Sequence, residues 1–388
     1  MEKVVEKPGR LAFLPLPALT PRLMPLPLGS WDAAAGRGNL ANYPLVVSLV
    51  ANVAADAPPG TLEAVWAWAK ARPASPPGFD VLVLGDVIQG RDVHLRMAAA
   101  GDWQLPFRKV APFTKAADLT LACNECNYSD TIPNPVDRDP QTFAFITRTA
   151  AADGLTLAGV DGVHLANNHS MNTGRQGLLD TLAALDARKI KVTGAGPDLA
   201  TAREPALFVV KGVRVALLGY NGVSAGADGA GPNRAGTVPM DMDILREDMA
   251  KARANADAVI PFFHWGDEYV AVPNDAQVRF AHAAIDMGAA VVIGSHPHWV
   301  QATEVYKGKL IVYSLGNYVF DQEWSIETKQ GAMVALQFHG NRHVGARLVP
   351  VLITDSSTPH IATPAEAAPI FARIWGATDT LAARLARS

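Results

Sequence analysis

The chain has little cysteine, a modest share of charged residues and no net basic charge. Its two cysteines, Cys123 and Cys126, lie too close together to form the disulfide framework of a small secreted protein. Charged residues make up 18% of the chain and apolar residues 49%, a balance that excludes intrinsic disorder. The chain has 34 basic and 37 acidic residues and no run of Lys or Arg. Nucleic-acid binding is therefore not expected.

Long apolar runs are also missing. The apolar segment 11–29 is interrupted by prolines at 15, 17, 21, 25 and 27, which would break the helix of a signal sequence. The run that begins at Pro44 is only a dozen residues long, whereas a membrane-spanning helix needs about 20. We therefore predict a soluble, cytoplasmic protein without a membrane anchor.

A breaker-rich stretch at 72–78 ends an N-terminal extension, for which we predict a strand over Leu45–Val53 and a helix over Thr61–Ala71. We divide the chain into this extension (1–78), a main domain (79–355) and a helical tail (356–388). In the main domain, buried strands alternate with amphipathic helices, the pattern of a mostly parallel sheet. We predict strands at 79–86, 118–123, 160–166, 206–210, 213–219, 258–264 and 289–294, and helices at 91–100, 142–152, 174–189 and 275–287. Further strands at 301–305, 310–314, 331–338 and 344–353 follow without helices, and we expect them to complete a second sheet as antiparallel strands.

Polar residues with ligand chemistry come at the ends of these predicted strands. In an open α/β sheet, groups beyond the carboxyl ends of the strands converge on one crevice. Carboxylate, amide and imidazole donors together suit Zn, Mn, Fe or Ni better than Ca or Mg. The candidates are Asp86, Glu125, Asn168, His169, His264, His296 and His298.

Each candidate alone also has a purely structural interpretation. Asp86 can cap the following turn, and a lone His264 is more often a hydrogen-bonded structural residue than a ligand. His296 and His298, separated by one proline after an apolar strand, instead form a natural chelate. The amides before His169 are costly to desolvate unless something binds them. We interpret Cys123 and Cys126 as packing residues, since the chain has no further cysteines to complete a four-cysteine site.

Five segments together resemble a known family. They are GDVIQGR from Gly85, ADLTLACNE ending at Glu125, LANNHSMNTGRQGLLDTLAAL, HWGDEY from His264, and GSHPHWVQATEVYKGKLIVYSLGNYVFDQ from Gly294. Over residues 79–355 the chain resembles the CapA/PgsA-type poly-gamma-glutamate capsule biosynthesis proteins, which are similar to calcineurin-like metallophosphoesterases. The resemblance implies an α/β fold, a four-layer αββα sandwich of the metallophosphoesterase type, here with an N-terminal extension and a C-terminal helix.

The resemblance also implies roles for individual residues. Asp86 would be the first-strand aspartate and Glu125 the bridging carboxylate, with His169 as the catalytic histidine. The remaining metal ligands would be Asn168, His264, His296 and His298. The chain departs from the pattern in three places. Ile88 stands where metallophosphoesterases have the histidine of D-x-H, Cys123-Asn124 replaces the usual Asn-Leu before the glutamate, and Asn172 replaces an aspartate, so that a single metal is conceivable.

The resulting hypothesis is a metal-dependent hydrolase with one or two divalent transition metal ions that activate water and polarise the scissile group. By family association, we expect an amide bond, for example a gamma-glutamyl one, in a small or polymeric acidic substrate. His169 would protonate the leaving group, and Arg91 would hold a substrate anion. Two alternatives stay open: a phosphoesterase that uses the same site, and a non-catalytic accessory protein for poly-gamma-glutamate synthesis or export. The identity of the metal and the oligomeric state are open as well.

Overall fold

The computed structural model describes residues 78–139 and 141–387. The strand and helix predicted within 1–77 lie outside the described residues. In chain order the strands are β1 (Gly78–Val87), β2 (Leu119–Asn124), β3 (Asn127–Tyr128), β4 (Ile146–Thr147), β5 (Gly162–His164), β6 (Lys191–Thr193), β7 (Ala195–Gly196), β8 (Ala206–Val210), β9 (Val213–Asn221), β10 (Gly236–Thr237), β11 (Ala258–His264), β12 (Val292–Ser295), β13 (Thr303–Tyr306), β14 (Lys309–Val312), β15 (Asn317–Val319), β16 (Gln330–His339), β17 (Arg342–Thr354) and β18 (Thr358–Ile361). The α-helices are α1 (Arg91–Ala100), α2 (Ala111–Thr114), α3 (Asp153–Leu157), α4 (Gly174–Asp186), α5 (Leu199–Ala202), α6 (Ala225–Asp228), α7 (Met242–Asn255), α8 (Asp275–Asp286), α9 (Ile326–Lys329) and α10 (Pro364–Leu385).

Two large sheets organise these elements. The first has the strand order β18-β17-β16-β1-β2-β5-β6, and β15 pairs with the end of β1. Its β1, β2, β5 and β6 are parallel, whereas β16, β17 and β18 are joined antiparallel. The second sheet has the order β13-β14-β12-β11-β9-β8, with a parallel centre and an antiparallel strand at each edge.

The sheets pack face to face, with helices on their outer sides. Val81 and Val83 of β1 share an inter-sheet core with Ile260 and Phe262 of β11. The alternate residues of β1 pack outward against α1 and α4, while α7 and α8 cover the outer face of the second sheet. Buried on both sides, the central strands are continuous apolar runs rather than alternating ones. The expected four-layer αββα sandwich is confirmed.

The expected C-terminal helix is confirmed as α10. Its Ile370 and Ile374 enter the inter-sheet core, and Ala377 and Leu381 join the core beneath α7 and α8. The helix thereby packs against both cores. Within the described part of the chain, no helix combines the length and the apolar character needed to cross a bilayer.

One predicted helix is wrong. Residues 142–152 form β4 and a 3₁₀ turn over Thr149–Ala152, and a helix begins only at Asp153. The backbone of this segment is engaged elsewhere: the Asn127 N–H donates to the Phe145 carbonyl at 2.9 Å, and the Phe145 N–H donates to Asn172. These tertiary hydrogen bonds outweigh the helical propensity of the alanines.

The placement of two late strands is also corrected. The strands at 303–306 and 309–312 belong to the second sheet as expected, but β16 and β17 join the first, where β16 lies antiparallel to β1. Their hydrophobic pattern does not specify a partner strand, since both sheets offer an apolar inner face.

Helix α7, between β10 and β11, was not predicted.

Candidate metal centre

The strand ends of both sheets converge on one buried cluster. Asp86 and Cys123 are direct register partners on the parallel strands β1 and β2, and Glu125 follows β2. From the second sheet, His264 ends β11, and His296 and His298 follow β12. Asp86, Glu125 and His264 are fully buried, and His296 and His298 are each 3% exposed.

A β-bulge directs Asp86 into this cluster. Val81 and Val83 face the inter-sheet core and Leu82 and Leu84 face outward, so strict alternation would turn Asp86 away. The β1–β2 register shifts between Val83 and Asp86, and such an insertion reverses the parity of the residues that follow. Gly85 makes the bulge possible, because a Cβ there would lie 2.1 Å from the Gly316 carbonyl oxygen.

The potential ligands form two groups that share Glu125. Asp86, Cys123, Glu125 and His264 each offer an atom within 4.8 Å of the others. Glu125, His296 and His298 form the second group at the same spacing. A carboxylate common to two donor groups can bridge two ions, and either group can also hold a single one.

The backbone and a neighbouring amide orient His298. His296 and His298 both have positive φ, at 96° and 58°, an uncommon conformation for residues other than glycine that this loop imposes. Asn317 accepts a hydrogen bond on Oδ1 from His298 Nδ1 at 2.9 Å, while its own nitrogen donates to the Thr328 carbonyl. The network therefore assigns the proton to Nδ1 and leaves His298 Nε2 free to bind a metal.

His264 lies at the junction of the cluster. Its Nε2 is 2.8 Å from Asn168 Oδ1 and 3.4 Å from Glu125 Oε1. Its Nδ1 is 3.0 Å from Ser295 Oγ and 3.7 Å from the Cys123 sulfur. The adjacent amide, Asn167, donates to the Asn124 carbonyl instead. Of the two amides in the motif, only Asn168 thus reaches His264.

His169 stands at the edge of the cluster and is less buried, with 11% of its side chain exposed. Its Nδ1 is 2.8 Å from Asn172 Oδ1, an oxygen that also accepts the Phe145 N–H at 3.0 Å. Its Nε2 points to Glu125 Oε1 at 3.7 Å, and the Phe145 ring lies 4.2 Å from the imidazole, centroid to centroid. The ring is therefore held from two sides, with one nitrogen directed into the site.

Several buried atoms of the cluster lack a hydrogen-bond partner among the described residues. They are Asp86 Oδ1, both carboxylate oxygens of Glu125, and His296 Nδ1. Buried polar atoms without partners are rare because desolvation is costly. A divalent cation would satisfy these buried atoms, so the residues present fit a divalent metal ion.

The protonation equilibria follow from burial. Burial raises the pKa of Asp86 well above its usual range, and the nearby Glu125 carboxylate raises it further. Burial likewise raises the pKa of Glu125 to about 7, against the opposing effect of His169. Burial and the neighbouring His296 lower the pKa of His298 to about 3, and burial lowers the pKa of His264 and His296. These imidazoles are consequently neutral at pH 7, the form that binds metals.

Arg91 has a different environment from the one expected. Its Nε lies 3.2 Å from each carboxylate oxygen of Asp321, with which it forms a buried ion pair. The guanidinium carbon is 5.1 Å from the ring centre of Phe145 and 5.0 Å from that of Phe320. The guanidinium is thus already paired with a carboxylate of the same chain, and its contact with a substrate anion stays a prediction.

The structure thus brings together all six predicted ligands and His169. The sequence reasoning did not single out Asn317 and Asp321, which support His298 and Arg91. Both lie inside the LGNYVFDQ segment, which is part of the string that carries the family resemblance. The sequence therefore pointed to this segment as part of the site. Only the structure shows which side chains they contact.

Comparisons with known proteins agree with the resemblance. Residues 80–322 match the family model described as bacterial capsule synthesis protein PGA_cap. The PGA biosynthesis protein CapA of Bacillus subtilis is 34% identical over 283 residues, which are 73% of this chain and 72% of that protein. The capsule biosynthesis protein CapA of Bacillus anthracis is 31% identical, covering 71% of this chain and 67% of its own length. A crystal structure of a putative 5′-nucleotidase from Staphylococcus aureus superposes with a TM-score of 0.48 at 15% identity, over 76% of this chain and 58% of that one.

Proposed function

This chain belongs to the bacterial capsule synthesis protein family PGA_cap, and on that basis we propose that it is a metal-dependent hydrolase of an amide bond in an acidic substrate. Asp86, Glu125, Asn168, His264, His296 and His298 hold one or two divalent transition metal ions in this proposal. The observation that carries it is the set of buried, unpartnered oxygens on Asp86 and Glu125, surrounded by imidazoles that burial keeps neutral.

The proposed reaction divides between the metal and His169. When bound, a divalent ion supplies Lewis-acid polarisation of the scissile carbonyl and a lowered pKa for the attacking water. The water passes a proton to the unprotonated His169 Nε2 as its oxygen bonds to the carbonyl carbon, and the C–N bond then breaks as the leaving nitrogen takes that proton from Nε2. Asn172 Oδ1 accepts a hydrogen bond from the other imidazole nitrogen, Nδ1, at 2.8 Å. The proton that is transferred is therefore the one on Nε2, which points into the site.

Arg91 acts in this proposal as a positioning residue rather than as the anion receptor. The rings of Phe145 and Phe320 flank its guanidinium. Phe145 also packs on His169, and Phe320 lies 5.3 Å from the His298 ring. Arg91 and Asp321 therefore fix the two aromatic rings that hold the catalytic histidine and one metal ligand in place.

The amide substrate class is supported by the family relationship. A relative with 34% identity is named for PGA biosynthesis, and PGA, as poly-gamma-glutamate, joins its residues through amide bonds to side-chain carboxyls. The phosphoester remains the second candidate, since the same donor set can polarise a phosphoryl oxygen. The two reactions differ in the atom attacked, carbon or phosphorus.

The test is a comparison of two substrate series with the purified full chain. Gamma-glutamyl oligomers of increasing length and simple phosphomonoesters and diesters are incubated with protein that is metal-loaded, chelated, or chelated and reloaded. We expect release of glutamate or shorter oligomers that stops with chelator and returns with metal. Phosphate release without amide cleavage would move the assignment to a phosphoesterase, and a metal-loaded protein that binds the oligomer without cleaving it would favour an accessory role.

A further inference from the structure

We propose that Cys123 is a sulfur ligand of the metal centre, and that this thiolate makes the group formed with Asp86, Glu125 and His264 selective for zinc over manganese and magnesium. The inference rests on the metal centre of the proposed function and adds to it a residue outside the predicted ligand set. This chain has Cys123 where the family resemblance implies an asparagine, so the selectivity would be a property of this chain.

The strand geometry places the sulfur among the carboxylates. Cys123 and Glu125 are two residues apart at the end of β2, a spacing that puts both side chains on one face. Asp86 is the direct neighbour of Cys123 on β1. From the opposite sheet, His264 Nδ1 lies 3.7 Å from the Cys123 sulfur. All four residues are completely buried.

A second observation points independently to a cation at this place. Asp86 Oδ1 and both oxygens of Glu125 are buried without a hydrogen-bond partner in the described chain. Together with the sulfur and a His264 nitrogen, potential ligand atoms of all four residues lie within 4.8 Å of one another. Two carboxylates, one thiolate and one imidazole are a donor set that zinc accepts in tetrahedral geometry.

The second cysteine has no such surroundings. Cys126 packs in a small cluster with Ile88, Phe145 and Phe320. Its thiol donates to the Asn127 carbonyl at 3.5 Å, and it belongs to neither candidate donor group. Two equally buried thiols, three positions apart, therefore differ in whether they face the metal centre.

Sulfur changes which metal the site prefers. Soft thiolate donors favour Zn²⁺, whereas Mg²⁺ and Mn²⁺ prefer sites made of oxygen donors. The thiol gives up its proton to solvent as the metal–sulfur bond forms, so binding releases a proton. Without the sulfur, the remaining donors of the group are two carboxylates and one imidazole, a set more favourable to manganese.

Cobalt(II) absorption of the full chain tests the assignment directly. Cobalt substitutes for zinc, and a cobalt–thiolate bond adds a near-ultraviolet charge-transfer band to the visible ligand-field bands. We expect both features in the wild type and in the matched control Cys126→Ser, in which Cys123 is the one remaining thiol of the two in the sequence. Cys123→Ser should keep the visible bands and lose the charge-transfer band. In zinc and manganese titrations, Cys123→Ser should lose roughly 10- to 100-fold of the preference for zinc.

The outcomes separate this inference from the function on which it rests. Visible cobalt bands without a charge-transfer band, in the wild type and in Cys126→Ser, would overturn the role of Cys123 and leave the metal centre standing. A chain that binds neither cobalt, zinc nor manganese would overturn both. Because Cys126→Ser contains the Cys123 thiol alone, its spectrum decides the question even if Cys123→Ser does not fold.

Discussion

The Nδ1 atom of His169 donates a hydrogen bond to Asn172 Oδ1 across 2.8 Å. The same oxygen accepts the backbone N–H of Phe145, so the amide orientation is fixed and Asn172 presents an acceptor to the ring. His169 therefore carries its proton on Nδ1 when neutral, and Nε2 faces Glu125. A neutral amide thus orients the imidazole at the position where the family resemblance implies a carboxylate.

Replacing His169 with alanine should remove proton transfer and spare the metal. We expect turnover to fall on the order of 10²–10⁴-fold, which is the usual contribution of a positioned proton donor. Metal analysis and circular dichroism of the same preparation serve as the readouts. Asn172→Leu is the companion variant, with an expected loss of roughly 10- to 100-fold and unchanged metal content, because it removes only the hydrogen bond that orients the ring. Loss of metal from His169→Ala would instead place His169 among the ligands.

His298→Ala should behave in the opposite way. His298 Nε2 is free to coordinate because Asn317 occupies Nδ1 at 2.9 Å, and removal of one ligand weakens the whole site. We expect bound metal and activity to fall together and to be restored together, at least in part, by excess metal. The substitution His282→Ala, on the outer helix α8, is the control that should change neither. Full metal content in inactive His298→Ala would contradict the ligand assignment.

The Arg91–Asp321 pair should matter to stability more than an exposed pair does. The side chains of Arg91 and Asp321 are 7% and 5% exposed, whereas those of Arg96 and Asp92 are 42% and 45% exposed. Asp321→Asn leaves a buried guanidinium without its counter-charge, and we expect a loss of about 3–5 kcal/mol in the free energy of unfolding. Arg96→Gln should cost no more than about 1 kcal/mol. Urea unfolding of both variants measures the difference, and equal losses would refute the positioning role.

A histidine remote from the ligand set should make stability depend on pH. Burial lowers the pKa of His343 to about 4, with an added effect of Lys309, and its Nε2 has no partner within the described residues. Between pH 6.5 and 4 the unfolded chain binds this proton and the folded chain does not. The free energy of unfolding should therefore decrease as the pH falls through that window, by up to about 1.4 kcal/mol per unit. His343→Gln should show a shallower slope in urea titrations, and parallel curves for the two proteins would disprove this contribution.

The sequence was sufficient to predict the bounds of those helices and strands that are specified by their own local pattern of apolar and polar residues. Helix α1 and the strands β8 and β11 begin and end where their patterns predicted. The candidate ligands were predicted to lie together because each follows an apolar strand, and parallel strands bring their carboxyl ends together. The sequence did not predict which strands distant in the chain pair with each other. The hydrophobic pattern of β16 suits either sheet, and only the folded chain places it beside β1.

The surroundings of Arg91 and Cys123 could not be predicted, because they depend on tertiary contacts. Arg91 follows a metal-site motif and was interpreted as an anion receptor, but Asp321, 230 residues away, binds its guanidinium. Cys123 was interpreted as a packing residue and does lie in the inter-sheet core, but the sequence did not show that it is the register partner of Asp86 on β1. Neither contact has a local sequence signature, because each joins residues from different strands or loops.

Metal content is the most direct measurement of the central claim. The full chain is expressed in medium supplemented with zinc, manganese and iron, purified without chelator and analysed by inductively coupled plasma mass spectrometry. The account predicts about one to two equivalents of transition metal per chain, because Glu125 is shared by two donor groups, and a marked reduction in the double variant Asp86→Asn, His298→Ala. A folded wild-type chain with metal near zero, which also binds none on titration, would contradict it.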